Sequence, residues 1–355
     1  MLNTLFSGDF PRSRWLTGLL LLIAVALLLA PFLFPGSRPL DTAAKVCIFI
    51  VLVASYDLLL GYTGVVSFAH TVFFGMGAYG AAIALAKVGP GWGALLTGGA
   101  LGVLSAMVLA LLIALFSLRV RAIFFAMVTL AVASAFAILV SQLFHITGGE
   151  DGLSYSLPRE LTPAFRLVQD KVFDVRIDGR LLTYYLVLTA CAGLFLGLLR
   201  LVNSPFGRVL QAIRENEFRA EALGYRTVLY RTLASCIAAG VAALAGVMMA
   251  VWARYTGPET TLSMDIMVNI LLMVVIGGMG TLYGAVVGAT LFVLAQNYLQ
   301  TLMAGLSSAV SGVPVLPNLF APDRWLLWLG VLFILSVYFF PTGLVGRLRG
   351  TGSGR

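Results

Sequence analysis

Charge is what this 355-residue chain has least of. Only 11% of its residues are Asp, Glu, Lys or Arg and 60% are hydrophobic, against about 25% charged and about 45–50% apolar in soluble domains. The apolar residues come in uninterrupted runs of bilayer length, about 20 residues each. The composition therefore excludes a soluble protein and predicts an integral membrane one. Lysine is scarcer still: Lys45, Lys87 and Lys171 are the full set, and none follows a glycine-rich phosphate loop. That absence excludes ATP hydrolysis by this chain alone. His70 and His145 stand singly, as do Cys47, Cys191 and Cys236, so no metal site, disulfide framework or cofactor is expected. No nucleophile elbow or zinc-protease signature occurs, and no catalytic residue is assigned. The net charge of +8 comes from arginine. In a membrane chain such a surplus marks cytosolic loops, and nucleic acid is discounted as a partner.

What the sequence does have is a succession of apolar segments. The first, 15–34, holds eight leucines between Leu16 and Leu29, contributing roughly −3 to −5 kcal/mol of insertion free energy. It follows Arg12 and Arg14 and exceeds the length of a secretory h-region, so a retained span is expected. Further segments lie near 43–60, 64–86, 93–118, 122–144, 182–202, 230–253, 265–283, 284–303 and 324–341. The fold class read from this is an all-α integral membrane protein with about ten transmembrane helices, forming a single transmembrane domain over 1–355. An inside N-terminus puts thirteen arginines on the cytosolic side and ten Lys/Arg on the other, five of them in the long 145–181 loop. Both termini are expected in the cytosol.

Two spans read as broken or re-entrant. Gly61-Tyr-Thr-Gly-Val-Val-Ser-Phe-Ala-His70 is too rich in glycine and polar side chains for a lipid-facing helix, and irregular backbone at membrane depth requires cover by protein or a water-filled cavity. In the second, Gly280, Gly284 and Gly288 recur at four-residue spacing and would present one smooth helix face for close packing. Paired glycine-interrupted segments also point to a substrate path, and both readings stay open. Ion-coupled transport would need ionisable groups inside the bundle, and the candidates are few: Asp57 and Asp265 near span ends, His70 well inside.

Two polar segments remain. In 203–229, Ser204 and Pro205 open a helix as N-cap and first residue, and Gly224 is positioned to end it. Phe206, Val209, Leu210 and Ile213 fall on one face, while Glu215 and Arg219 can pair at i, i+4. On periodicity, this amphipathic helix either rests on lipid headgroups or docks a soluble partner. The opposite loop, 145–181, has the size of an external flap. It contains Thr147-Gly148-Gly149-Glu150-Asp151-Gly152-Leu153, and its Asp178-Gly179 reads as a hairpin turn. Glu150 and Asp151 read as a solvated pair, not a metal site.

Three blocks resemble a known family, the inner-membrane permease subunits of ABC importers for branched-chain amino acids, of the LivM-like type. The first runs from Asp57-Leu-Leu-Leu-Gly-Tyr-Thr-Gly64 through Ser67-Phe-Ala-His70 to Phe73-Phe-Gly-Met-Gly-Ala-Tyr79. The second is Ser204-Pro-Phe-Gly-Arg208 with Ala212-Ile-Arg-Glu-Asn-Glu217 and Ala220-Glu-Ala-Leu-Gly224. The third is Gly277-Gly-Met-Gly-Thr-Leu-Tyr-Gly284 with Gly288-Ala289. Thr147-Gly148-Gly149 through Gly152-Leu153 is similar to the family's outer-loop pattern. The resemblance implies that the 203–229 loop is a coupling helix inserting into an ATPase subunit, with Arg208, Arg214, Glu215, Asn216, Glu221 and Gly224 at the contact. It implies that Asp57, Tyr62, Ser67, His70 and Tyr79 belong near the translocation path. The partners it implies are two cytosolic ATP-binding subunits, a homologous LivH-like permease and an external solute-binding protein, in a multi-pass assembly within the lipid of a bacterial inner membrane. Asp57 stands where the family usually has Asn, Ala69 where it has Gly and Ala285 where Pro is common. The cargo thus stays open between branched-chain or other small amino acids and urea or short amides. The rival from another class is an ion-driven secondary transporter using His70 or Asp57.

Overall fold

In a computed structural model of the chain, the described residues are 13–33, 36–117, 122–165, 178–309, 321–340 and 343–350. They form helices α1 (Arg14–Leu33), α2 (Ser37–Thr63), α3 (His70–Lys87), α4 (Trp92–Ser117), α5 (Ala122–Gln142), α6 (Phe144–Thr147), α7 (Gly179–Val202) and α8 (Pro205–Glu215). These are followed by α9 (Glu217–Ala222), α10 (Thr227–Ala253), α11 (Pro258–Thr261), α12 (Met264–Gly277), α13 (Leu282–Ala309), α14 (Trp325–Phe339) and α15 (Gly343–Gly350). Among the described residues, eight helical stretches are long and apolar enough to cross a bilayer: α1, α2, α4, α5, α7, α10, α11 with α12, and α13. The shorter α3 and α14 bring the segments to the ten expected.

Position in the bundle follows from composition. α2 is buried along nearly its whole length, from Thr42 to Thr63, and packs against α7, α10 and α13. α3 lies between α4 and α10. Its glycines explain why it is there: a Cβ on Gly77 would fall 1.8 Å from the Ala243 carbonyl oxygen, and one on Gly246 of α10 would fall 1.9 Å from that of Phe74. Backbones that approach this closely gain packing where no hydrophobic force between helices operates. The periphery is the reverse. α1, α4, α5 and α14 turn outward large side chains such as Leu22, Leu101, Met127 and Ile334, an apolar exterior suited to the bilayer.

The expected break between 61 and 70 is present. α2 ends at Thr63 because Gly64 takes the left-handed conformation (φ 72°), and the Val65 N–H closes back on the Leu59 carbonyl at 3.2 Å. This is a glycine C-cap that satisfies terminal carbonyls. Residues 64–69 are not helical, and Phe68 N–H finds the Thr129 hydroxyl of α5 at 3.0 Å. Irregular backbone survives here because protein covers it.

At one end of the bundle, the part of the 145–181 loop that is described folds back onto the helices. Strand β1 (Leu153–Ser154) pairs antiparallel with β2 (Tyr255–Thr256), and Leu157 and Leu161 are buried. The Tyr155 hydroxyl donates to the Ala250 carbonyl at 2.9 Å. The hairpin expected at Asp178-Gly179 does not form: Asp178 is the N-cap of α7 and accepts the Leu181 N–H at 3.2 Å. An aspartate before an apolar run satisfies an orphan helix donor better than it serves a turn. Residues 166–177 of that loop lie outside the described residues.

Candidate functional site

At the opposite end, α8 lies across the bundle on its apolar stripe. Leu210 and Ile213 are fully buried, and Phe206 stacks on Tyr230 of α10 with ring centroids 5.7 Å apart. Two details differ from the sequence expectation. The Ser204 hydroxyl donates to the Leu201 carbonyl at 2.6 Å instead of capping α8. The single helix is also two: Asn216 is extended (φ −159°, ψ 100°), ends α8 and caps α9 by accepting the Arg219 N–H at 2.9 Å. Glu215 and Arg219 thus sit on different helices and form no pair. Glu217 instead bonds Arg231 at 2.5 Å, and Glu221 accepts from the Thr227 hydroxyl at 2.7 Å, so these acids fasten the loop to α10. Gly224 (φ 90°) turns the chain after α9. Arg208 and Glu215 remain exposed. Beside them stand Phe218 and Leu223, 83% and 72% exposed. Sequence periodicity missed this apolar pair, and its one signal was a phenylalanine in the otherwise polar run Glu217-Phe-Arg-Ala-Glu221.

Arg214, at the end of α8, ties this surface helix to both glycine-rich breaks. Its stem runs past Gly64, and its Nη1 donates to the Gly61 carbonyl at the end of α2. A cation there answers an orphan carbonyl and the negative end of the helix dipole. Four residues back along α2, Asp57 is fully buried, and its Oδ1 accepts the Gly280 N–H at 2.8 Å. The Arg214 charge also reaches the Asp57 carboxyl group, whose Oδ2 has no hydrogen-bond partner. Only glycine fits on either side of the joint. A Cβ on Gly61 would fall 2.3 Å from Gly280 N, and one on Gly280 would fall 2.8 Å from Arg214 Nη1. The end of α2, the α12–α13 turn and the end of α8 therefore meet at one point.

The glycine repeat divides between two roles. Gly284 and Gly288 lie on α13 and admit the backbone of α12, since a Cβ on Gly288 would fall 2.0 Å from the Met273 carbonyl oxygen. Gly280, expected on the same helix face, precedes the helix in the turn with φ 79°.

Of the other path candidates, His70 opens α3 with its Nε2 2.8 Å from the Ser55 hydroxyl, which itself donates to the Leu52 carbonyl. The serine oxygen therefore accepts, Nε2 carries the proton, and Nδ1 is buried without a partner. Tyr62 and Ser67 are buried at the break. Tyr79 is buried further along α3, against Val140 and Leu262, with an unpartnered hydroxyl. Asp57, His70 and Tyr79 thus occupy three separate places along α2 and α3 rather than one cluster. Among the described residues, no group of three or more His, Cys, Asp or Glu side chains could hold a metal ion.

The family model described as branched-chain amino acid transport system / permease component matches residues 38–337. The chain is 26% identical over 96% of its length to 77% of the Salmonella typhimurium high-affinity branched-chain amino acid transport system permease protein LivM. It is likewise 26% identical over 93% of its length to 75% of the Escherichia coli K12 protein of the same name. A Methanocaldococcus jannaschii protein described as a probable branched-chain amino acid transport permease protein LivM is 32% identical over 41% of each chain. No solved structure matches. An all-helical bundle with eight bilayer-length stretches, matched over most of its length, identifies the chain as a member of the family of branched-chain amino acid transport permease components, multi-pass inner-membrane proteins that serve transport rather than catalysis.

Proposed function

We propose that this chain is one of two permease subunits of an ATP-driven importer, taking up branched-chain or other small amino acids delivered by an external solute-binding protein. Two cytosolic ATPases and a homologous second permease complete the assembly, and both termini face the cytosol. The 203–229 segment is the coupling element. The observation that carries this reading is α8 with α9: the apolar face of α8 is taken by the bundle, leaving Arg208 and Glu215 of α8, Phe218 of α9 and Leu223 at its end for a soluble partner. An apolar pair this exposed beside charges suits a protein cleft better than headgroups, which would draw the apolar face and not the polar one.

The same geometry supplies a transmission route. ATP binding draws the coupling helices of the two permeases together, and a displaced α8 pulls through Arg214 on the Gly61 carbonyl in the last turn of α2. Asp57 and Gly280 carry the displacement to the α12–α13 turn. Both breaks lack regular helix, so they can take up the change at low cost. The described part of the 145–181 loop, at the far end, is the surface offered to the binding protein.

The test separates docking from folding. Phe218→Asp with Leu223→Ser changes side chains that the bundle does not bury, so membrane insertion should be unchanged while amino-acid uptake by the assembled importer falls to background. Wild-type uptake in the double variant contradicts the docking assignment. Reversal at Arg214 and Glu215 should also abolish uptake, although Arg214 acts through Gly61 as well as at the surface.

A further inference from the structure

A cavity of about 430 Å³ opens between the ends of α2, α7 and α10, at the end of the bundle that carries the 145–165 segment, far from α8. Its wall holds three cations, Lys45, Arg180 and Arg254, and one acid, Asp41. Arg180 is already matched. Its Nη2 lies 2.8 Å from Asp41 Oδ1, and its guanidinium sits over the Trp252 ring at 5.7 Å from the centroid. The other two cations are not. Lys45 is half-buried and makes no ion pair or hydrogen bond among the described residues. Arg254 donates through Nη2 to the Leu161 carbonyl at 3.3 Å, but its buried Nε has no partner. Burial and the neighbouring Arg180 charge push the Arg254 guanidinium below the usual arginine range, and Asp178 offsets this only in part. Two half-buried cations facing one cavity, with the single acid there already engaged by Arg180, leave positive charge that an anion entering the cavity would match.

The backbone points the same way. Arg254 is the one non-glycine residue among those described with a left-handed conformation, φ 57°, at the C-terminal cap of α10. Glycine would sit there without strain. Strain held by a side chain that reaches into a cavity is a mark of function.

We propose that this cavity is a receptor for the carboxylate of a small aliphatic acid, held by Lys45 and Arg254 with its carbon body against Trp252 and Met249. Asp41, whose carboxylate is half-exposed, can also face an ammonium group, so a small α-amino acid fits the set: anion to cations, cation to acid, and a short carbon body beside Met249 and the edge of Trp252. That last step rests on the amino-acid reading given above. The site then takes the cargo at the end of the permease opposite the coupling element.

The test is equilibrium binding of labelled leucine to the full chain in phosphatidylcholine nanodiscs, with isocaproate and isoamylamine as competitors. Leucine should bind, isocaproate should compete and isoamylamine, which lacks the carboxylate, should not. Lys45→Gln, which breaks no internal bond, should weaken binding by about tenfold or more, the loss of one contact between charged groups. Lys45→Arg should restore it, and Arg254→Gln provides a second variant. Unchanged binding in both glutamine variants overturns the proposal. So does a cavity that retains phosphatidylglycerol and excludes isocaproate, which would make it a lipid headgroup seat. Uptake by the assembled importer separates this from the permease reading. Uptake that depends on this chain, with the same KM in Lys45→Gln, removes the site and leaves the permease. Carboxylate binding that depends on Lys45, with no uptake that depends on the chain, removes the permease reading and leaves the site.

Discussion

Gly61 and Gly280 carry no side chain because each occupies the space where the other's neighbours stand, and the joint between α2 and the α12–α13 turn closes only on that condition. Asp57 fastens the joint as an acceptor. Asp57→Asn keeps an oxygen for the Gly280 N–H and should leave stability and uptake close to wild type. Asp57→Leu orphans that buried donor at a cost of about 1–3 kcal/mol, and should lower both the thermal midpoint in detergent and the uptake rate. Equal loss in the two variants would mean that the charge, not the hydrogen bond, matters. At this scale the sequence was partly legible. Asp57, Arg214 and Gly280 were each singled out, but their meeting was not, because Asp57 and Gly280 alone are 223 positions apart and no periodicity links them. The approach of Lys45 and Arg254 to one cavity was equally invisible, since each alone reads as an ordinary residue at a span end.

Among the elements, α8 was the most legible, since a 3.6-residue period writes its buried face directly into the sequence. Leu210 anchors that face. Leu210→Ala should cost about 2–5 kcal/mol and loosen the helix, seen as faster proteolysis within 203–229 in vesicles that expose this face. Unaltered cleavage would mean that α8 does not depend on this contact. The division at Asn216 was hidden because the helical pattern runs on through both pieces, while the asparagine side chain competes locally for the Arg219 N–H. Asp178 was misread for a related reason: an Asp-Gly pair serves a turn or a helix start equally well until the following apolar run decides. Gly280 could not be told from Gly284 and Gly288 by spacing, and its positive φ put it in the turn.

For the whole molecule, composition alone was enough to identify a membrane bundle, and the ten segments were found because long apolar runs have no other solution in water. Their arrangement was not readable. The central place of α3 depends on glycine contacts with α4 and α10 that hydropathy does not record. The two ends of the bundle differ in kind: one carries α8 and the joint of the two breaks, the other a cationic cavity and a folded flap. This polarity suits a path driven from one side and loaded from the other. The measurement that tests that account most directly is a gentle-detergent purification of the chain from its native membrane, with the accompanying proteins identified by mass spectrometry. The account predicts two P-loop ATPases and a second permease in stable association. Recovery of the chain alone after crosslinking, together with ionophore-sensitive uptake that ignores ATP, would contradict it.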